Sequence, residues 1–364
     1  MPRLSPVDAV APAFRRVDFI LLHPFRLRTW LKMGLIGWLG GGLVTVGMNL
    51  KFQAPHFPVE QLPSDPWKDI NQAIHDAVRS IHFAQFAGFM ALLMIVLALA
   101  LVFSLIFTYL SSRFRFILFD TVVSGEVQVG RGWYGFSDQG TRYFGFWLIY
   151  RLLSWAAAGF IVGLPVWQAY KRGLFEGNQP LSEFLGLLAS VALGLLAFAL
   201  VSAIITTLVK DFVMPLMALD DLPVGAAFSR LWRYVTAEPG PWAGYFGLKF
   251  VLAIATGIGL GVVGVLAYLA LFVVLAIPAA ALIGVGVLVM KASMAVGIVI
   301  FVLTGLGVVA ASSCLFLCLA APVSVFFAAY AFYFFGGRYP KLGELLWPPA
   351  APTPQMTTAL PTVQ

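Results

Sequence analysis

Charged residues are scarce in this sequence. Only 11% of its 364 residues are Asp, Glu, Lys or Arg, whereas 60% are hydrophobic; a soluble domain carries about 25% charged residues. So few charges could not cover the apolar surface of a chain folded in water, which excludes an ordinary soluble fold. The apolar runs are continuous, whereas the strands of a transmembrane β-barrel alternate in pieces of about 10 residues. We therefore predict an all-α integral membrane protein.

Recognisable catalytic chemistry is also missing. The sequence has no HExxH, GxSxG or GxxxxGK[ST] motif, so three common hydrolytic signatures are absent. Two cysteines, Cys314 and Cys318, share one apolar run, and we expect them to pack there without a disulfide. His75 and His82 lack a defined third ligand, so we predict no metal and no cofactor. The uncharged runs contain no acid, although ion-coupled carriers and intramembrane proteases normally need buried ionisable groups.

Long uncharged runs predict the membrane spans. Roughly 20 apolar residues cross the ~30 Å hydrocarbon layer as a helix, and such runs predict about six spans, near residues 30–50, 86–111, 146–166, 184–209, 245–272 and 296–333. Between Phe250 and Gly336 the only charge is Lys291. Residues 276–295 therefore have three interpretations: a re-entrant segment, a kinked extension after Pro278, or additional spans that would raise the count to eight.

Basic residues predict the orientation. Seventeen of the 23 Lys and Arg residues lie in the N-terminal segment, the Ser112–Arg151 and Lys210–Lys249 connections and the C-terminus, with the flanking Lys32 counted in the N-terminal segment. Because cytoplasmic connections carry the excess of Lys and Arg, both termini are predicted to be cytoplasmic. Residues 1–29 then form a cytoplasmic interfacial helix and residues 30–345 the transmembrane domain. Residues 51–85 form an extracytoplasmic loop with an amphipathic helix, and residues 346–364 form a disordered cytoplasmic tail.

The cytoplasmic connections show a repeated pattern. AFRR at 13–16, followed by Pro24, recurs as AFSR at 227–230, followed by Pro239, and RGW at 131–133 is a weaker third copy. These segments predict cytoplasmic interfacial amphipathic helices in three pseudo-repeated pairs of spans, with aromatic faces in the lipid and cations on the headgroups. The segments RFRFILFD and DFVMPLMALD end at Asp120 and Asp220, which we expect to cap helices or to pair with nearby arginines.

Three cations lie just inside predicted spans: Lys32, Arg151 and Lys249. Long cationic side chains near a span end can reach the headgroups at little cost. The alternative is that the three side chains line a central cavity that binds lipid phosphate or another anion. With the interfacial cations they complete the predicted anion-binding or headgroup-binding set: Arg15, Arg16, Arg26, Arg28, Lys32, Arg151, Arg230, Arg233 and Lys249.

The formal net charge of +7 could suggest nucleic acid, but in membrane proteins excess Lys and Arg reflects topology. We predict membrane lipids, with anionic headgroups, as partners and no nucleic acid. Small-residue pairs such as Gly159 and Gly163 let helices approach closely. They favour packing within the bundle, with homo-oligomerisation as the alternative.

The opening segment SPVDAVAPAFRRVDFILLHPFRLRTWLKMGLIGWL and the closing segment APVSVFFAAYAFYFFGGRYP resemble bacterial six-span proteins of unknown function. These proteins are often labelled as similar to the membrane domain of glycerophosphoryl diester phosphodiesterase, and they include the YciC-like inner-membrane proteins. The resemblance implies a bacterial inner-membrane location and paired spans. It implies no active site, because the catalytic phosphodiesterase barrel is not part of this chain.

Together these features predict a non-enzymatic polytopic membrane protein that acts as a lipid-interacting or scaffold component. A passive or facilitated transporter or channel for a small or anionic solute is the main alternative. An enzyme that acts on a lipid is the second alternative, and it would need a polar cluster that the order of residues in the chain conceals.

Overall fold

The computed structural model describes residues 4–23, 25–41, 83–174 and 181–347, and these are helical almost throughout, with no β-strand among them. A π-helical turn, Val209–Val213, connects the α-helix that ends at Leu208 to the one that begins at Met214. The α-helices are α1 Val10–Leu21, α2 Leu27–Leu39, α3 Phe83–Ser124, α4 Val129–Gly135, α5 Ser137–Lys171, α6 Leu181–Leu208, α7 Met214–Asp220, α8 Val224–Ala237, α9 Pro239–Met290, α10 Met294–Gly336 and α11 Pro340–Leu346.

Five helices of the described chain are long and apolar enough to cross a membrane: Gly88–Ser124, Ser137–Lys171, Ser182–Asp220, Pro239–Met290 and Met294–Gly336. A crossing needs about 20 residues, so each exceeds that length. The prediction of a helical membrane protein is confirmed at this level. The predicted first span, 30–50, is described only to Gly41, and the predicted extracytoplasmic helix with His75 and His82 lies outside the described residues, as do Pro24 and the C-terminal tail.

The helices run well past the ends that uncharged length predicts. The predicted spans 86–111 and 184–209 stop just before Arg113 and Lys210, yet helical structure continues to Ser124 and Asp220. Burial explains the difference, because Arg113, Arg115 and Asp211 are all buried in the protein. Arg113 donates to the Trp133 carbonyl of α4 and to the Thr141 hydroxyl of α5, each at 3.4 Å, and Arg115 donates to the Lys210 carbonyl and to Asp211. These charges therefore do not end the helices.

The long apolar region near the C-terminus forms two helices. α9 continues through Pro278 to Met290, and the described chain turns once, at Lys291–Ser293, before α10 begins. Residues 276–290 thus continue the helix that contains the fifth predicted span, and residues 291–293 form the turn to α10. At about 1.5 Å per residue α9 is about 78 Å long, so part of it lies outside a ~30 Å hydrocarbon layer unless it tilts steeply.

α10 lies at the centre of the bundle. Its C-terminal half, Ala320–Gly336, is buried nearly throughout, and it packs against α1, α2 and α9. Close approach to α2 depends on small residues: a Cβ on Gly34 would lie 2.0 Å from the Leu317 carbonyl oxygen, and one on Gly37 would lie 2.1 Å from Ser324 Oγ. No larger side chain fits at this crossing without moving a helix.

Aromatic rings fill the core where α9 begins, around the π-helical turn. The ring of Phe212 lies 4.7 Å from that of Trp242 and 5.0 Å from that of Tyr245, and Tyr245 stacks 4.7 Å from Phe334. Elsewhere the long helices expose large apolar side chains, for example Leu92, Phe103, Leu193, Val265 and Leu303. An apolar surface of this extent suits lipid as the surrounding medium.

Candidate functional site

A buried ionic cluster is centred on Asp211, in the π-helical turn. Its side chain is only about 4% exposed. Arg115 donates to Oδ1 at 3.3 Å, Tyr245 donates to Oδ2 at 2.8 Å, and Lys249 forms an ion pair with the same Oδ2. A carboxylate buried among spans is costly unless it is paired and hydrogen-bonded, and Asp211 has both kinds of partner.

Arg115 ties three elements together. It is 5% exposed, and its guanidinium also donates to the Lys210 carbonyl oxygen at 3.1 Å and to the Gly40 carbonyl oxygen at 3.4 Å. Its Nε atom is buried and has no hydrogen-bond partner within the described part of the chain. The guanidinium is therefore held in place by its two terminal nitrogens, and Nε is left unpaired.

Local backbone geometry brings these groups together. π-helical turns are rare and occur often at functional sites; here the turn carries the adjacent residues Lys210 and Asp211. Gly41, just past the end of α2, has φ +71°, a conformation that favours glycine. A Cβ on Gly41 would make only ordinary contacts, 3.7 Å from Lys210 Nζ, so the backbone conformation and not lack of space favours glycine beside the lysine.

A cavity of about 70 Å³ adjoins the cluster. Three cations are on its wall: Arg115, Arg151 and Lys210. The Lys210 ammonium lies 5.5 Å from the ring centre of Trp147, and Arg151 donates to Thr108 Oγ1 and, at 3.2 Å, to Ser104 Oγ. The lining residues are Gly40, Thr108, Ser111, Ser112, Arg115, Tyr143, Trp147, Arg151 and Lys210.

Positive charge exceeds negative charge in this region. The lining of the cavity contains no acid, and Asp211 is already shared by Arg115 and Lys249. Within the described residues neither Arg151 nor Lys210 forms an ion pair. Chemically, such a site suits an anion and would repel a metal cation, and the described residues contain no cluster of three or more metal-ligating side chains.

The three cations just inside predicted spans, Lys32, Arg151 and Lys249, lie in three different environments. Arg151 lines the cavity, and Lys249 joins the cluster through Asp211. Lys32, on α2, is partly buried and is not part of the cavity lining.

Sequence reasoning missed Arg115, Lys210 and Asp211. Asp211 is a buried acid in the helical segment that continues beyond the predicted span 184–209, within the candidate helix Ser182–Asp220. Reading for uncharged length assigned all three residues to cytoplasmic connections. The signal that could have found Lys210 and Asp211 was an adjacent Lys–Asp pair flanked by apolar residues, in VKDFVM at 209–214.

Two predicted headgroup ligands make contacts within the protein. Arg16 donates to the carbonyl oxygens of Val122 at 2.7 Å and Val123 at 2.6 Å, near the C-terminus of α3. These carbonyls have no partner within their own helix, so Arg16 satisfies a helix end. Arg230 pairs with Asp220 at 2.6 Å. The other interfacial arginines are exposed: Arg15, Arg26, Arg28 and Arg233.

Both conspicuous interfacial acids pair with arginine, as predicted. Arg131 Nε lies 3.0 Å from Asp120, and Asp220 is shared by Arg230, Lys341 and the Tyr339 hydroxyl, which donates at 2.7 Å. Burial, and then the hydrogen bond to Asp220, raise the pKa of the Tyr339 phenol, so it stays protonated and donates.

The profile of a family of unknown function (DUF7544) matches residues 4–345. No curated protein and no solved structure matches the chain, so no named relative supports the resemblance to the phosphodiesterase membrane domain. Because the matched residues make up most of the 364, the chain belongs to this family of unknown function.

Proposed function

We propose that the protein is a non-enzymatic polytopic component of the bacterial inner membrane that binds anionic lipid headgroups at its cytoplasmic face. The observation that carries the proposal is the exposure of four arginines on α8, on α1 and around the start of α2: Arg15, Arg26, Arg28 and Arg233. Each is free of an ion pair within the described residues, so each is available to a phosphate.

Exposed apolar side chains accompany these arginines. Phe14 is 58% exposed beside Arg15, Phe25 is 64% exposed beside Arg26, and Trp232 is 54% exposed beside Arg233. Bare aromatic rings next to cations are typical of segments that sink into the headgroup layer, where the ring meets acyl chains and the cation meets phosphate.

The opposite faces of the same helices pack on the bundle. α1 buries Ala13 and Leu21, and α8 buries Ala227 and Leu231. Packing of this kind fixes the direction in which the arginines project, and fixed cations select headgroup charge more sharply than mobile ones.

Matching ion pairs support the proposed pseudo-repeat. Asp120 pairs with Arg131, eleven residues later, and Asp220 pairs with Arg230, ten residues later. In each case an acid at the end of a long helical segment holds an arginine of the following short helix. We extend this to six spans in three pairs with both termini cytoplasmic, in line with the resemblance to six-span inner-membrane proteins.

The composition of the lipids that copurify with the protein tests the proposal. We expect the parent to retain phosphatidylglycerol above its share of the membrane, and R15Q/R233Q to lose that enrichment. K171Q/R172Q is the matched control, because it also removes two exposed cations, but from the predicted extracytoplasmic side. Equal enrichment in the parent and R15Q/R233Q would refute headgroup selection by these arginines.

Passive passage of a small anion is a second candidate function. The observation that favours it is the polar cavity lined by Arg115, Arg151 and Lys210 between α3, α5 and the π-helical turn. We expect a protein-dependent anion efflux from proteoliposomes that R151Q slows and that R142Q, on the same helix, leaves unchanged. Parent proteoliposomes that leak no faster than protein-free vesicles would rule this function out.

A further inference from the structure

We propose that the cavity lined by Arg115, Arg151 and Lys210 is a binding site for a phosphate oxyanion. This site is distinct from the interfacial arginines, and the inference does not rest on headgroup binding at the surface. The phosphate can come from inorganic phosphate or from the headgroup of a lipid, since both present the same tetrahedral group of acceptor oxygens.

The charge balance carries the first step. Arg115, Arg151, Lys210 and Lys249 lie at the cavity or at the cluster beside it. Asp211 pairs with two of them, Arg115 and Lys249. Arg115 is nine residues before the end of α3, about 14 Å along the helix axis. Unpaired positive charge within spans is expensive, and an anion bound between the cations would remove that cost.

Orientation carries the second step. Arg115 is nine-tenths or more buried, and its other guanidinium nitrogens are held by Asp211 and by the Lys210 and Gly40 carbonyls. Its Nε donor is buried without a partner in the described chain. Leaving such a donor unsatisfied carries a cost. The atom has almost no accessible surface, so the side chain would have to shift toward the cavity for a bound oxyanion to accept from it.

Hydroxyl groups carry the third step. Thr108 and Ser112 donate to the carbonyl oxygens of Ser104 and Thr108, at 2.6 and 2.8 Å. Thr108 Oγ1 also accepts from Arg151, so this hydroxyl positions the guanidinium. Ser111, also on the wall, adds a side chain with a hydroxyl donor.

Size sets the ligand class. A cavity of about 70 Å³ exceeds the ~10–15 Å³ that one water needs and falls far below the ~300 Å³ of the smallest drug-sized pockets. A single oxyanion group is therefore suitable, whereas a nucleotide is too large. Arg151 is both on the cavity wall and exposed, so a phosphate attached to a lipid would approach the site past this side chain.

The test uses the full-length protein in maltoside detergent, which contains no phosphate, with inorganic phosphate as the probe in calorimetric titration. We expect saturable binding to the parent and to R142Q, and at least a tenfold loss of affinity in R151Q. R142Q is matched, because it removes an exposed arginine from the same helix outside the cavity. K210M is a second variant of the cavity lining, and we expect it to lose phosphate affinity by the same factor. It serves as the test if R151Q does not fold.

A second measurement identifies the source of the phosphate. Short-chain phosphatidylglycerol is added as a competitor, with the corresponding diacylglycerol, which lacks phosphate, as its control. If the phospholipid competes with phosphate and the diacylglycerol does not, the ligand is a lipid headgroup. If neither competes, the ligand is free phosphate. The proposed binding site stands in both cases. Phosphorus analysis of the purified protein detects a phospholipid that stays bound through purification. The parent and R142Q should retain this phosphorus, and R151Q and K210M should lose it.

The inference is overturned if the parent neither titrates with phosphate nor retains phosphorus. It is also overturned if R151Q and K210M bind phosphate as the parent does. R15Q/R233Q should bind phosphate normally, so a failure of surface headgroup binding and a failure of this site give different results.

Discussion

Arg115 Nη2 lies 3.3 Å from Asp211 Oδ1. This contact joins α3 to the π-helical turn, between residues that are 96 positions apart in the chain. The pair is almost completely buried, and Tyr245 and Lys249 complete the cluster from α9. Three long helical segments thus share one polar contact within an otherwise apolar bundle. In such a setting the loss of one partner leaves a buried charge without compensation, so substitutions in the cluster should lower the stability of the protein.

Asp211→Asn should destabilise the protein strongly. It would leave Arg115 and Lys249 buried without their acid, and breaking a buried pair in this way costs about 3–5 kcal/mol. Thermal unfolding in detergent measures the effect. Asp221→Asn is the matched control, because Asp221 is exposed and pairs with Arg142 at the surface, where a salt bridge contributes at most about 1 kcal/mol. Similar melting temperatures for the two variants would contradict the role of Asp211.

Tyr245→Phe should be milder than Asp211→Asn. The change removes the 2.8 Å hydrogen bond to Asp211 but keeps the ring that packs against Phe212 and Phe334. A hydrogen bond to a charged group contributes about 1.5–3 kcal/mol. The Tyr268 hydroxyl donates to the Ser312 carbonyl at an exposed position. Denaturation in detergent should therefore show a smaller loss of unfolding free energy for Tyr268→Phe than for Tyr245→Phe. The reverse ranking would count against the cluster.

Gly34→Ala should disrupt the crossing of α2 and α10. The added methyl group would fall 2.0 Å from the Leu317 carbonyl oxygen, so one of the helices must move. Gly145→Ala, in α5, meets nothing within 4 Å and should be neutral or stabilising, because Ala favours a helix over Gly by about 0.5–1 kcal/mol. Melting temperatures of the two variants distinguish them, and equal values would show that the crossing is loose.

The proposed orientation predicts which exposed sites a membrane-impermeant thiol reagent reaches. On a C314A/C318A background, Arg172→Cys should react in cells with a permeable outer membrane, because α5 would end on the extracytoplasmic side. Glu126→Cys, in the exposed connection after α3, should react only after the inner membrane is broken. Labelling of both cysteines from the same side would overturn the topology.

Hydropathy predicted much of the architecture, because apolar length is a local property. The long helices all contain a predicted span, and Asp120 and Asp220 pair with arginine as expected. The helices continue beyond the predicted span ends at Arg113 and Lys210, since a charge ends an apolar run in the sequence but does not end a helix whose neighbours satisfy that charge.

The centre of the candidate site could not be predicted in the same way. Arg115 and Asp211 are 96 positions apart, and only the packing of α3 against the π-helical turn makes them partners. Arg151 and Lys249 were identified by their positions inside spans, but that reasoning could not show that Lys249 pairs with Asp211 while Arg151 lines a cavity. Lys32 met the same criterion and lies outside the lining, so depth along a span does not determine which face a residue occupies.

The central claim is that exposed arginines select anionic headgroups, and the relative association of spin-labelled lipids with the reconstituted protein tests it most directly. Each cation near an anionic surface contributes about 1 kcal/mol. We therefore predict that the parent prefers phosphatidylglycerol over phosphatidylcholine severalfold at low salt. The preference should fall markedly in R15Q/R233Q and persist in K171Q/R172Q. A preference in R15Q/R233Q equal to that of the parent would contradict the account.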